Sequence, residues 1–295
     1  MGRQQPAGIR HLEALRNRVG DIRLVAPRAA LAIESNGLVM TDEDGRLPHI
    51  DVELGETVSR AGQRLLAAID VPPDSPLRLV AVRTGAPWLE EHPKLGPLQP
   101  FWIVVTMALR GKPDRLGPWM RTADVPLLSA ISPSLPSDRF APVGGDYIRS
   151  IREHVGHERV FYPWCGAAVR RDDRLLLVRE QGTASWHCPG GGVEIGETPQ
   201  QTIARELDEE TGLVVVSEQL IGCWTGRQRT YANGDEVQFL SALFAGSAAA
   251  GSGREDRTGE IDARGWFSER DLPPLSPPWD RHTRLAFRSS AAVLD

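Results

Sequence analysis

The stretch "GGVEIGETPQQTIARELDEETGL", Gly191 to Leu213, carries most of what this chain says about its own fold. Its middle reads as one helix with both ends specified. Thr198 suits the N-cap, Pro199 the first helical position, where no N–H is needed, and Gln201 completes a capping box. Gly212 can take the left-handed conformation that closes a helix, so the spacing predicts a helix over 199–211. At about 100° per residue, Glu206, Glu209 and Glu210 fall within an arc of about 100°. Three carboxylates that close repel and raise one another's pKa unless a cation neutralises them.

Hard divalent cations bound through oxygen meet that need, and Mg²⁺ in particular is shared between a few carboxylates and substrate phosphates. A solvated acidic helix face is the plainer reading of any glutamate cluster. Two features tell against it. Ile203 and Leu207 lie beside the glutamates, so the carboxylates are expected to edge a cleft against a sheet. The preceding "PGGG", 189–192, is a backbone that can approach a metal or phosphate closely, although such glycines also mark ordinary tight turns.

The same pattern stands earlier in the chain. "VELGETVSRAGQRLLAAID", Val52 to Asp70, lies without a gap over Val193 to Thr211. "LEALRNRVGDIRLVAP" at 12–27 matches "IRSIREHVGHERVFYP" at 148–163, and "WMRTADVPLL" at 119–128 matches "WFSERDLPPL" at 266–275. Three blocks in one order predict two related domains, 1–141 and 142–295, joined by the Pro-, Ser- and Gly-rich 132–145. Each half reads as a short amphipathic helix closed by Gly, a strand pair, a glycine loop, a helix and further strands, which is an α/β sandwich. "FWIVVTMAL" at 101–109 and "VQFLSALFAG" at 237–246 read as buried strands, "AAVRRDDRLLLVRE" as a hairpin turning at Asp172 and Asp173, and 281–294 as a terminal helix.

Bulk properties exclude several classes. The chain has 295 residues, 41% of them hydrophobic, and a net charge of −5, so neither disorder nor general nucleic-acid binding through a basic surface is expected. No apolar run is long enough for a membrane span and the N-terminus lacks a secretory pattern, so a cytoplasmic protein with no membrane partner is expected. Cys165, Cys188 and Cys223 fit no CxxC spacing and read as buried thiols. His154 and His157 read as helix-end or surface groups.

The pattern Gly191, Glu197, Arg205-Glu206-Leu207, Glu209-Glu210 and Gly212-Leu213, at these spacings, resembles the box of the Nudix hydrolase family at every position. The resemblance implies a Nudix fold in each half, an α/β/α sandwich around a mixed sheet. It implies Mg²⁺- or Mn²⁺-dependent hydrolysis of a nucleoside diphosphate linked to another group, a small-molecule substrate of the ADP-ribose or nucleotide-sugar type or a nucleoside triphosphate, by water attack on phosphorus. Carried onto matching positions, Glu206, Glu209 and Glu210 would ligate metal with the Gly191 carbonyl, while Arg205 and Glu197 orient the cluster. The base would be a box glutamate or Glu260, six residues before Trp266. Arg179, Arg227 and Arg229 are the candidates for phosphate, and Trp186 and Tyr231 for stacking on a base. A non-catalytic nucleotide or nucleotide-sugar sensor on the same fold is the rival reading.

Projected onto the first half, Gly191 becomes Ile50, Glu206 Leu65, Glu209 Ala68, Glu210 Ile69 and Gly212 Val71, whereas Glu56 and Arg64 survive. An apolar helix cannot hold Mg²⁺. The first half is therefore expected to be a degenerate Nudix-like domain that pairs with the second as an intramolecular pseudo-dimer.

Overall fold

The computed structural model describes residues 7–72, 76–109, 117–129, 146–249, 259–275, 279–288 and 292–294. The first half comprises α1 (Ala7–Val19), β1 (Leu24–Ser35), β2 (Leu38–Met40), β3 (His49–Asp51), α2 (Val58–Ala68), β4 (Arg78–Arg83), β5 (Glu90–His92), β6 (Gly96–Ala108) and β7 (Trp119–Arg121). The second comprises α3 (Tyr147–Val155), β8 (Val160–Arg171), β9 (Arg174–Glu180), β10 (Trp186–His187), β11 (Gly190–Gly192), α4 (Pro199–Thr211), β12 (Val214–Trp224), β13 (Gln228–Thr230), β14 (Glu236–Ala249), β15 (Ile261–Ser268), α5 (Trp279–Arg288) and β16 (Val293–Leu294). Strands β1 to β7 form one mixed sheet and β8 to β16 another, and no strand is shared. The proposed linker at 132–145 lies outside the described residues.

The two sheets repeat one plan. A long parallel pair forms each centre, β1 with β6 and β8 with β14. Their registers correspond: Arg28 faces Trp102 as Trp164 faces Ser241. A three-residue strand crosses each centre antiparallel, pairing Arg28 with Asp51 in one sheet and Trp164 with Gly192 in the other. The helix that follows packs on the sheet, α2 on β1 and α4 on β8, β11 and β12.

Local chemistry explains the second helix closely. Thr198 accepts from the Gln201 amide, the Gln201 side chain accepts in return from the Thr198 amide, and Gly212 closes the helix in the left-handed region. The hairpin turns at Asp172, which takes a positive φ of 54°. All three cysteines are free and buried. The C-terminal expectation needs correction: α5 begins at Trp279 and ends at Arg288, and the chain then returns as β16, parallel to β12. Val293 and Leu294 instead pair with Gly222 and Cys223 of β12. Among the described residues no helix is long and apolar enough to cross a membrane.

Across the boundary, elements meet their own counterparts: α1 packs on α3, β1 on β8 and β4 on β12. One hydrophobic cluster runs from Leu12 and Leu66 in the first half to Leu207 and Trp279 in the second. Polar contacts are reciprocal as well. Gln238 Oε1 accepts from the Gly55 amide at 2.5 Å, and Gln99 Oε1 accepts from the Gly196 amide at 2.6 Å. Gly55 and Gly196 occupy equivalent positions of the repeat.

The symmetry fails at one atom for a covalent reason. Val58 donates its N–H to Thr225 Oγ1 at 2.8 Å. The mirror bond would run from residue 199 to Thr84, but Pro199 has no N–H, and Thr84 Oγ1 is buried without a partner. Thr225→Val should therefore cost about 1–2 kcal/mol by orphaning the Val58 amide, while Thr84→Val should be neutral or stabilising. Urea unfolding of the two variants checks this; equal losses would contradict it.

Candidate active site

Strand β11 and helix α4 bring the acidic residues together. Glu197, 3% exposed, sits in the turn between them and accepts from Arg205 Nε at 2.7 Å and Nη2 at 3.0 Å. Arg205 also donates to the Gly192 carbonyl at 2.8 Å, tying helix to strand. Its remaining nitrogen, Nη1, reaches Glu206 Oε1 at 2.7 Å and Glu209 Oε2 at 3.2 Å. Glu210, on the same helix, accepts from the Gly190 amide at 3.0 Å.

Gly191 lies against the Glu206 carboxylate. A Cβ there would fall 2.1 Å from Glu206 Oε1, so the carboxylate lies against bare backbone. Burial pushes the Glu206 carboxyl up to about 7, against the pull of Arg205. The Arg205 guanidinium is held well above its usual range by Glu197 and Glu206, which outweigh its burial. Glu194 is also raised, first by burial.

Among the described residues no three acidic, His or Cys side chains converge as a ready metal cage. Arg205 instead donates to Glu206 and Glu209, and Glu210 accepts from a backbone amide. The donor chemistry still suits a hard divalent ion. Glu206, Glu209 and Glu210 offer carboxylate oxygens from one helix, with Glu206 against the bare backbone of Gly191.

These groups line a cleft of about 750 Å³. Glu260 lines it too, beside Glu180, with the Glu260 carbonyl accepting from the Gln181 amide at 2.7 Å. Arg229 and Tyr231 also line it, the guanidinium 4.4 Å from the ring centre. Arg179, Arg227 and Trp186 are not among its lining residues. Arg179 is paired with Asp262 at 2.6 Å and lies over Trp186, which packs edge-on against Phe267. Register explains this: Trp186 pairs with Arg179, so both belong to the β10–β9 edge.

Sequence reasoning missed Arg149, Tyr162, Trp164, His187 and Trp279 as lining residues. Tyr162 and Trp164 alternate on β8, a period of two that could have flagged a shared face. Trp279 touches Trp164, His187 and Phe239 with ring centres 4.6, 5.4 and 6.4 Å away, and no local pattern announces that.

The equivalent place in the first sheet is filled. Arg28, at the position of Trp164, forks onto Glu90 at 2.5 and 2.8 Å and bonds Asp51 at 3.1 Å. Glu56 and Arg64 repeat the Glu197–Arg205 pair at 2.8 and 3.2 Å, and Arg64 bonds the Asp51 carbonyl at 2.8 Å as Arg205 bonds that of Gly192. The frame is retained without the acidic helix face.

Residues 164–287 match the family of the NUDIX domain. A MutT-like protein of Streptomyces ambofaciens is 42% identical over 64 residues, 22% of this chain and 42% of that protein. A putative ADP-ribose pyrophosphatase of Bacillus subtilis is 31% identical over 120 residues, 40% of this chain and 56% of that protein. The chain thus spans about half the length of these curated relatives. A solved MutT NUDIX hydrolase from Burkholderia pseudomallei is 29% identical, with 45% of this chain and 99% of that one covered and a TM-score of 0.36.

The family match takes in most of α5, whose Trp279 reaches the cleft. Three residues on, His282 stacks on Trp224 at 3.6 Å, with Nδ1 buried and without a partner. Burial, then Arg227 and Arg281, hold it down to about 3, below its ordinary 6.5. Between those values the unfolded chain takes up a proton that the folded chain refuses. Stability present above about pH 6.5 is therefore lost as pH falls towards 3. His282→Phe should flatten the fall in thermal midpoint between pH 7 and 4; an unchanged pH dependence would contradict it.

Proposed function

We propose that the second domain is a Mg²⁺- or Mn²⁺-dependent pyrophosphohydrolase acting on a nucleoside diphosphate linked to a second group. The observation that carries this is Glu206, buried against Gly191 beside Glu209 and Glu210, in a cleft that also presents arginines and stacked aromatics. The names of the relatives, among them a putative ADP-ribose pyrophosphatase, support the same class. Charge supports the need for a cation. Seven carboxyl side chains line the cleft against three arginines, two of them already paired, so a pyrophosphate entering alone would be repelled.

When bound, the cation polarises a phosphoryl oxygen and lowers the pKa of water. Glu206, Glu209 and Glu210 would hold it. Glu209, whose side chain is 37% exposed against 13% for Glu206, is the better placed to take the proton from the attacking water. Glu260 is the second candidate for that role. Arg229 and Arg149 would meet phosphate charge, and Tyr231, Phe239 and Trp279 would stack on the nucleobase.

The first domain, in this reading, is a degenerate Nudix-like partner that packs as half of a pseudo-dimer. The meeting of counterpart elements supports it, as an isologous contact requires. The Arg28–Glu90–Asp51 cluster supports a closed cleft there.

The test is incubation with Mg²⁺ or Mn²⁺ and a panel of nucleoside diphosphate sugars, dinucleotides and nucleoside triphosphates, with products followed by phosphorus NMR. Cleavage between phosphates is expected, falling at least about a hundredfold in Glu209→Gln. No turnover but tight binding of one member would support the sensor reading instead. Arg229→Ala should raise KM well above the wild-type value, whereas Arg179→Ala should leave it near unchanged; the reverse order would reassign phosphate contact to the β9 edge.

A further inference from the structure

The turn before α4 is held by the other domain. Gln99, on β6 and fully buried, accepts from the Gly196 amide at 2.6 Å and donates to the Glu194 carbonyl at 3.3 Å. The Ala86 amide donates to the Gly196 carbonyl at 2.8 Å. Gly85 lies so close that a Cβ there would fall 2.3 Å from the Glu197 carbonyl oxygen. Three backbone groups of one short turn are thus gripped from outside its own domain.

That turn feeds the site directly. Glu197 follows Gly196, its carboxylate accepts from the Glu194 amide at 3.1 Å, and it holds Arg205, which holds Glu206 and Glu209. Within the hydrolase reading above, we propose that Gln99 is a positioning residue: the first domain sets the Glu197–Arg205 pair and through it the oxygen donors of α4. Without the amide of Gln99, the Gly196 N–H and Glu194 C=O lose their buried partners and the turn must shift to find others. Glu197 moves with it, and the Arg205 guanidinium is released to follow the glutamates.

The repeat supplies the control. Gln238 likewise accepts from the Gly55 amide, although its N–H groups go to the Glu56 carbonyl at 3.0 Å and the Thr225 carbonyl at 2.7 Å; Glu56 holds Arg64, but the helix beyond carries Leu65, Ala68 and Ile69. Both clamps contribute to the domain contact; only one leads to carboxylates. A purely structural role predicts that the two glutamines behave alike.

The experiment compares full-length wild type with Gln99→Met, Gln99→Asn and Gln238→Met. Thermal midpoints are read alongside Mn²⁺ binding, followed by the loss of the free-ion EPR signal, and the Mn²⁺ dependence of hydrolysis. Gln99→Met should weaken Mn²⁺ about tenfold, the scale of losses when groups behind metal ligands are removed. Gln238→Met should lower the thermal midpoint comparably with Mn²⁺ binding unchanged. Gln99→Asn, a methylene too short to span both groups, should weaken Mn²⁺ in the same direction and serves if the Met variant does not fold. Equal Mn²⁺ binding in the Gln99 and Gln238 variants would overturn the assignment, as would a wild type that binds no Mn²⁺. A wild type that binds Mn²⁺ and hydrolyses nothing would sink the hydrolase reading, and the EPR comparison would still decide the role of Gln99.

Discussion

The pair between Glu197 and Arg205 is the interaction on which the rest of the site depends. A bidentate guanidinium–carboxylate contact fixes direction as well as distance. Here it locks the turn before α4 to the body of that helix, and the Arg205–Gly192 bond locks the helix to β11. Its persistence as Glu56–Arg64, on a helix without an acidic face, shows what it does at root. It folds the strand–turn–helix unit; orienting Glu206 and Glu209 is a use made of it.

A buried ion pair is costly to desolvate and earns its place through geometry and further hydrogen bonds. Both copies satisfy that condition, since each carboxylate also accepts the amide three residues before it, Glu194 in one and Glu53 in the other. The Arg28–Glu90–Asp51 cluster offers a second solution to buried charge. In the first half a guanidinium occupies the place of Trp164, and carboxylates stand at the positions of Gly192 and Arg229, so the space equivalent to the cleft holds one cation bonded to two carboxylates. The two halves differ less in frame than in what the frame is asked to enclose.

Because both halves lie in one chain, their contact can depart from symmetry at single positions. Pro199 begins α4 well because its ring presets the helical φ, at the expense of the hydrogen bond that Val58 makes in the other half. Thr84 retains the hydroxyl without the donor.

Much was legible in the linear sequence because it depended on neighbours within a turn of helix. The caps at Thr198 and Gly212, the shared face of Glu206, Glu209 and Glu210, the loss of that face at Leu65, Ala68 and Ile69, and the turn at Asp172 all follow from spacing alone. Phosphate and base contacts were harder to place, because an arginine or tryptophan looks the same whether it faces a cleft or a sheet edge. Tertiary packing put Arg229 and Tyr231 on the cleft and paired Arg179 with Asp262. Trp279 enters from a helix some seventy residues beyond the box, and Gln99 from the other half of the chain. The sequence by itself determined which helix could carry chemistry, since local propensity and periodicity act over a few residues. Only the tertiary structure decided what surrounds that helix, since long-range packing is set by contacts that no local spacing encodes.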